Sequence, residues 1–223
     1  MASTRVRGLD ISSCQGHIDF AALPSWVRFM FVKVSEGFNG KDPARAANLA
    51  GARARGILTG VYHFSHLDAD GHAQIQNLWD AIGDTMPLMI ALDFEYLAKG
   101  LTVTQAVANL RDEADAVKDD FGRDGDIYTY PWFATSMGTA LSSCTRLADC
   151  GLWMADLSKG EYPDDNAQPV VPKPWSKATF WQTSGDNSSR VPGIATPVDH
   201  DVFLGSEDDL RAHFGLPVLP EAA

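Results

Sequence analysis

The chain has 223 residues, 45% of them hydrophobic and 21% charged, so it can bury a core and is not a disordered tail. Lys and Arg number 18 against 29 Asp and Glu, a formal net charge of −11 that argues against nucleic acid or an anionic membrane as the main partner. No run of 18 apolar residues is present to span a bilayer, and Arg5 and Arg7 near the start have no apolar stretch behind them, so no secretory signal is expected.

Taken in chain order, short apolar runs alternate with helical patterns. A first strand is expected near 7–12 (RGLDIS) and a second near 29–35 (FMFVKVS). Asp42-Pro43 opens a helix as N-cap and first-turn proline, and Gly56 closes it. A third strand at 58–64 (LTGVYHF) leads to a helix over roughly 70–83, with Ala73, Leu78, Trp79 and Ile82 at helical spacing. The fourth strand, 88–95 (LMIALDFE), precedes the clearest helix, 103–121. Thr102 and Gln105 form its capping box, and Val103, Val107, Leu110, Ala114, Val117 and Phe121 make one apolar stripe. A fifth strand near 126–130 (DIYTY), a shorter helix over 132–141 and a sixth strand near 152–156 (LWMAD) follow. From there the helices stop. A loop holding Gly160, Pro163, Pro169, Pro172 and Pro174 leads to strands near 178–182 (ATFWQ) and 198–203 (VDHDVF), and a terminal helix over 206–214 is closed by Gly215.

Alternating strands and helices imply a parallel sheet, and continuous apolar runs suit strands buried on both faces. Eight strands without a Rossmann glycine fingerprint favour closure into a single TIM-like α/β barrel, (β/α)5(β)3 with mostly parallel strands. One domain is expected over 1–223, with its core at about 7–215 and no second module. Of the three cysteines, Cys144 and Cys150 could close a short loop and leave Cys14 over, but three free thiols are the expectation.

In such barrels the working residues sit at the C-terminal ends of the strands. Asp93 and Glu95 share a face with Met89 and Ala91, because side chains alternate, while Leu88, Ile90, Leu92 and Phe94 turn toward the helices. Asp10 on the first strand and Asp199 and Asp201 on the eighth add acids to the same mouth. Any one strand-end acid is ordinarily a solvated or capping residue, but nothing in folding requires so many at one end. Crowded carboxylates raise one another's pKa, which keeps a carboxyl protonated to act as an acid. They allow either metal binding or glycoside hydrolysis. His63 and His200 do not fall into a metal-ligand spacing, so no metal and no cofactor are expected. The aromatics Tyr62, Phe64, Tyr128, Tyr130, Trp153 and Trp181 lie near strand ends and suit sugar rings, although about half of such a set would ordinarily fill the barrel.

Several segments resemble, in order, those of glycoside hydrolase family 25, the Chalaropsis-type lysozymes. They are Gly8-Leu9-Asp10-Ile11-Ser12, Gln15-Gly16, Ile18-Asp19-Phe20, Phe31-Val32-Lys33-Val34-Ser35-Glu36-Gly37, Gly60-Val61-Tyr62-His63-Phe64, Leu92-Asp93-Phe94-Glu95, Ile127-Tyr128-Thr129, Leu152-Trp153-Met154-Ala155, Trp181-Gln182 and Val198-Asp199. The resemblance implies hydrolysis of the β-1,4 bond between N-acetylmuramic acid and N-acetylglucosamine in bacterial peptidoglycan. It places the catalytic acid on Glu95, its partner on Asp93 and the outer carboxylates on Asp10 and Asp199. Strand eight departs from the family in carrying a second acid, Asp201, where Asn is frequent; either aspartate could hold the outer role, and Asp199 is favoured because it follows Val198 in register. Tyr62, Phe64, Tyr128, Trp153, Trp181, Gln182 and Asp201 form the candidate substrate-binding set. A chitinase-like hydrolase and a non-catalytic peptidoglycan-binding barrel are the alternatives. The expected enzyme is a monomer, endolysin-like, held in a host cytoplasm before release to the wall or exported by another route. After protonation by Glu95, either the substrate's own acetamido group or a water activated by Asp10 or Asp199 completes the reaction.

Overall fold

The computed structural model describes residues 5–68, 70–83, 86–161, 163–185 and 189–217. The apolar runs become β1 (Val6–Ile11), β2 (Val27–Glu36), β4 (Leu58–Phe64), β5 (Ile90–Asp93), β6 (Asp126–Thr129), β7 (Gly151–Ala155), β8 (Phe180–Gln182) and β9 (Asp199–Phe203). A two-residue β3 (Gly40–Lys41) pairs with the end of β2. The eight longer strands close into a barrel, because β1 pairs with both β2 and β9. Neighbours in the barrel are parallel except at β9, which runs antiparallel to β8 and to β1. That reversal matters for the site. Asp199 lies at the N-terminal start of β9, and only the antiparallel direction brings it beside Asp10 at the mouth.

The crossovers are α1 (Arg45–Ala54), α2 (Gly71–Ile82), α3 (Val103–Phe121) and the pair α4 (Pro131–Ser136) and α5 (Gly138–Ser142); α6 (Glu207–His213) follows β9. The first connection, from β1 to β2, holds two short 3-10 turns instead of an α-helix. Helix α3 has the expected bounds, with the Thr102–Gln105 capping box and Gly122 closing it in the left-handed conformation. The helix expected over 132–141 is broken at Met137–Gly138. Asp42 does not cap α1 as expected: its carboxylate takes the Ser13 N–H at 2.9 Å and the Ala44 N–H at 2.8 Å, tying the exit of β1 to the approach of the helix.

Two cores result from strand alternation. Leu9, Val32, Ile90, Leu92, Phe94, Ile127 and Leu152 face the helices, while Phe29, Phe31, Ala91, Trp153, Phe180 and Phe203 fill the barrel. Leu88 was expected on the outer side but packs inward with Met89, since the strand and its alternation begin only at Ile90. A Cβ at Gly8 or Gly60 would lie 2.6 Å from the rings of Phe29 and Phe31 respectively, so both glycines make room for the barrel's aromatic filling. The three cysteines are free thiols. Among the described residues no helix is long and apolar enough to cross a membrane.

A buried polar chain joins the barrel wall to α2 and α3. His63 Nδ1 meets Ser35 Oγ at 2.8 Å and its Nε2 meets Gln74 Oε1 at 3.3 Å; Gln74 Nε2 donates to Glu113 Oε1 at 2.7 Å, and Ser65 bonds the other Glu113 oxygen. Burial raises the Glu113 carboxyl from 4.5 to about 8, so the native state holds a proton that the unfolded chain releases. Stability from this group is therefore lost as pH rises from 4.5 toward 8. Glu113→Gln keeps the shape and the donor without the titration. In melts at pH 6 and pH 9, wild type is expected to lose more stability over that interval than the variant; parallel losses would contradict a buried proton on Glu113.

Candidate active site

The inward-facing residues build the site in tiers. Above the aromatic filling, the next inward positions are Asp10 on β1, Lys33 on β2, Tyr62 on β4, Asp93 on β5, Tyr128 on β6 and Gln182 on β8, with Asp199 opposite Asp10. Asp10 and Asp93 are 8% and 7% exposed, forming the floor. Glu95 lies two residues past Asp93, beyond the end of the strand, and is half-buried. It lines a groove of about 580 Å³ with Tyr128, Tyr130, Pro131, Trp132, Asp156 and Asp199, among others. A second groove of about 570 Å³ adjoins the strand ends of β2 and β4, lined by Lys33, Glu36, Phe38 and His66. A cavity of about 630 Å³ opens at the other end of the barrel, beside Gly151, Thr179 and His213, away from the acids.

The electrostatics show that the acids converge. Burial raises the Tyr128 hydroxyl well above its usual value, and so do the charges of Glu95, Asp93, Asp10 and Asp199, all of which it feels. Tyr62 is raised by burial and by Asp10, Asp93, Asp42 and Asp199. Burial, then the Glu95 charge, pushes Asp93 well above the ordinary carboxylate range, and Lys33 pulls it back in part. Burial raises Asp10 to about 6 against the Gln182 amide, whose Nε2 donates to Asp10 Oδ2 at 2.8 Å. Tyr128 donates to Gln182 Oε1 at 3.1 Å, so Tyr128, Gln182 and Asp10 form one chain across the floor.

Glu95, Asp93, Asp10, Asp199, Tyr62, Tyr128 and Gln182 are thus gathered at one mouth. Phe64 stands at its edge, with the Lys33 ammonium 4.7 Å from its ring centre and His66 and Tyr96 beside it. Two expected sugar platforms are corrected. Trp153 is 2% exposed, stacked on Phe31 at 4.6 Å, and fills the barrel beneath the acids. Trp181 is fully buried on the outer face, with its indole N–H on the Asp156 carbonyl at 2.7 Å. Alternation explains this, since Gln182 points inward and its neighbour cannot. Asp201 is also corrected as a substrate contact: it is 1% exposed, and its Oδ1 accepts the Trp153 indole N–H at 2.8 Å.

Sequence reasoning named Tyr130 but missed the exposed tryptophan beside it. Trp132 is 72% exposed at the start of α4, and its ring is nearly parallel to that of Tyr130, 6.2 Å away and tilted by 7°. The signal was Tyr130-Pro131-Trp132, where a proline starts a helix just past a strand end and leaves the next side chain in solvent. Lys33, the cation facing Asp93, was also missed as a site residue, although it alternates inward with Phe29 and Phe31. Among the described residues no group of three or more His, Cys, Asp or Glu is disposed to hold a metal ion.

The family model "Glycosyl hydrolases family 25" matches residues 9–194, which includes Asp10, Asp93 and Glu95 and ends before Asp199. Lysozyme M1 of Streptomyces globisporus is 32% identical over 93% of this chain and 70% of its own length. The N,O-diacetylmuramidase of Arthroderma benhamiae is 28% identical over 92% and 85%. Among solved structures, the bacterial lysozyme from Streptomyces coelicolor superimposes with a TM-score of 0.79 at 31% identity, covering 93% of this chain and 96% of that one. A family GH25 lysozyme from Aspergillus fumigatus does so with a TM-score of 0.76 at 27% identity, covering 94% and 99%.

Proposed function

The chain belongs to glycosyl hydrolases family 25, and from that membership we propose how its barrel mouth performs the hydrolysis. The protein is a peptidoglycan-hydrolysing lysozyme. Glu95 is the general acid that protonates the glycosidic oxygen between N-acetylmuramic acid and N-acetylglucosamine. The observation that supports these roles is the convergence of Glu95, Asp93, Asp10 and Asp199 on the Tyr128 hydroxyl, at a groove open to solvent.

Each group has a task that follows from its setting. Glu95 is half-buried at the groove wall, where it reaches a bound chain and still exchanges its proton. Asp93 is buried beside it, and burial together with the Glu95 charge favours the protonated form of Asp93. Asp10 and Asp199, paired across β1 and β9, place negative charge on the other side of the mouth. There they stabilise the positive charge that develops on the sugar ring, or hold the group that attacks it. Tyr62, Tyr128 and Gln182 line the floor and orient the sugar.

Trp132 offers the flat face that the buried tryptophans cannot. An aromatic contact is worth about 0.5–1.5 kcal/mol. Trp132→Ala is therefore expected to raise KM on soluble glycan roughly 2- to 10-fold while kcat changes less. A KM equal to that of wild type would remove Trp132 from the binding surface.

The test of the function is release of reducing ends from purified peptidoglycan and from chitin. Turnover of peptidoglycan well above that of chitin is expected. Preference for chitin would support a chitinase-like enzyme, and activity on neither a binding barrel.

A further inference from the structure

Asp201 is an acid that the proposed reaction does not use, buried where an ionised carboxylate is costly. It lies one inward step below Asp199 on β9, with Gly8 and Gln182 as its cross-strand partners. Trp153 Nε1 donates to its Oδ1 at 2.8 Å. Its Oδ2 is buried and receives no N–H or hydroxyl from any described residue. Asp10 is its diagonal neighbour across the β1–β9 pair, and the Asp10 charge acts on it.

Two buried carboxyls side by side can bond only through a proton held by one of them, because neither ionised form has a donor to offer. The surroundings decide which residue carries it. Asp10 receives the Gln182 amide at 2.8 Å and is the nearer to solvent, at 8% exposure against 1% for Asp201. Asp201 is enclosed and faces both Asp10 and Asp199. The deeper burial of Asp201 and the amide donor on Asp10 therefore favour the neutral form of Asp201 and the charged form of Asp10.

We propose that Asp201 is a positioning residue: a neutral carboxylic acid at working pH, anchored by the Trp153 indole, whose Oδ2–H donates to Asp10 and holds that carboxylate in place at the mouth. Asp10 is then clamped by two donors, the Gln182 amide from β8 and the Asp201 hydroxyl from β9. The barrel's aromatic filling sets the geometry, since the indole that holds Asp201 is itself stacked on Phe31. The proposal rests on the reading of Asp10 as a charged group facing the substrate.

Asp201→Asn reproduces both bonds, with Oδ1 accepting from Trp153 and Nδ2 donating to Asp10. Asp201→Ala removes them. Asp201→Ala is expected to lower kcat on peptidoglycan at least roughly tenfold with little change in KM, because a small misplacement of a reacting group costs that much or more. Asp201→Asn is expected to restore most of that kcat. Infrared difference spectra of wild type minus Asp201→Asn at neutral pH report the proton directly and do not depend on activity. A protonated-carboxyl carbonyl stretch that vanishes in the variant is expected. Carboxylate bands alone, or an Asp201→Asn variant as slow as Asp201→Ala, would overturn the proposal. Asp10→Asn, assayed alongside, separates the two claims. If it keeps wild-type kcat, the role of Asp10 fails; if it is slow while Asp201→Ala is not, only the role of Asp201 fails.

Discussion

Glu95→Gln is expected to lower kcat on peptidoglycan by about 10²-fold or more, the usual contribution of a positioned general acid. The substitution replaces a carboxyl by an amide of the same shape and removes only the transferable proton. Glu95 lies beyond the last paired residue of β5, half-buried at the groove wall, so the amide disturbs no strand pairing. Its melting temperature should therefore match wild type, and KM should change little because the amide fills the same space. Initial rates of reducing-end release, with melts on the same preparations, check both halves. A variant near the wild-type rate would move the acid elsewhere, whereas a slow variant that also melts early would point to a structural role.

The second large effect is at Asp93. Its carboxyl is 7% exposed, one oxygen is buried without a donor among the described residues, and both burial and the Glu95 charge raise its pKa. Two carboxyls coupled in this way lose their protons in two steps that belong to the pair, and the second step comes late. Asp93→Asn leaves a single carboxyl with no second step. The alkaline limb of the pH–kcat profile is therefore expected to move to lower pH. The rate at the optimum should fall roughly 10²- to 10³-fold, as when one preorganised electrostatic partner is removed. An unmoved alkaline limb would show that Asp93 does not share a proton with Glu95.

Much of this site was legible before the fold. Alternation alone put Asp93 and Glu95 on the inward side with Ala91, and the Thr102–Gln105 box with its apolar stripe delimited α3. Other features lie outside what a local pattern carries. The direction of β9 is one, because Val198 to Phe203 reads alike as a parallel or an antiparallel strand; the loop from β8 determines it, and it is what brings Asp199 to the mouth instead of the far end. The depth of an inward residue is another. Trp153 and Tyr128 both point into the barrel, yet packing on Phe31 sends Trp153 below the acids, while Tyr128 lines the groove. Trp181 was a misreading of information that was present, since it and Gln182 could not share a face. Asp42 was misread because its Asp-Pro pair fits a helix start, whereas its carboxylate also serves Ser13, 29 residues earlier in the chain.

The most direct test of the account is the chemistry of the new chain end. Peptidoglycan digested by wild type, then reduced with borohydride and analysed by mass spectrometry, should yield fragments ending in reduced N-acetylmuramic acid, with Glu95→Gln yielding almost none. Fragments ending in reduced N-acetylglucosamine, or equal yields from the variant, would contradict a muramidase that works through Glu95.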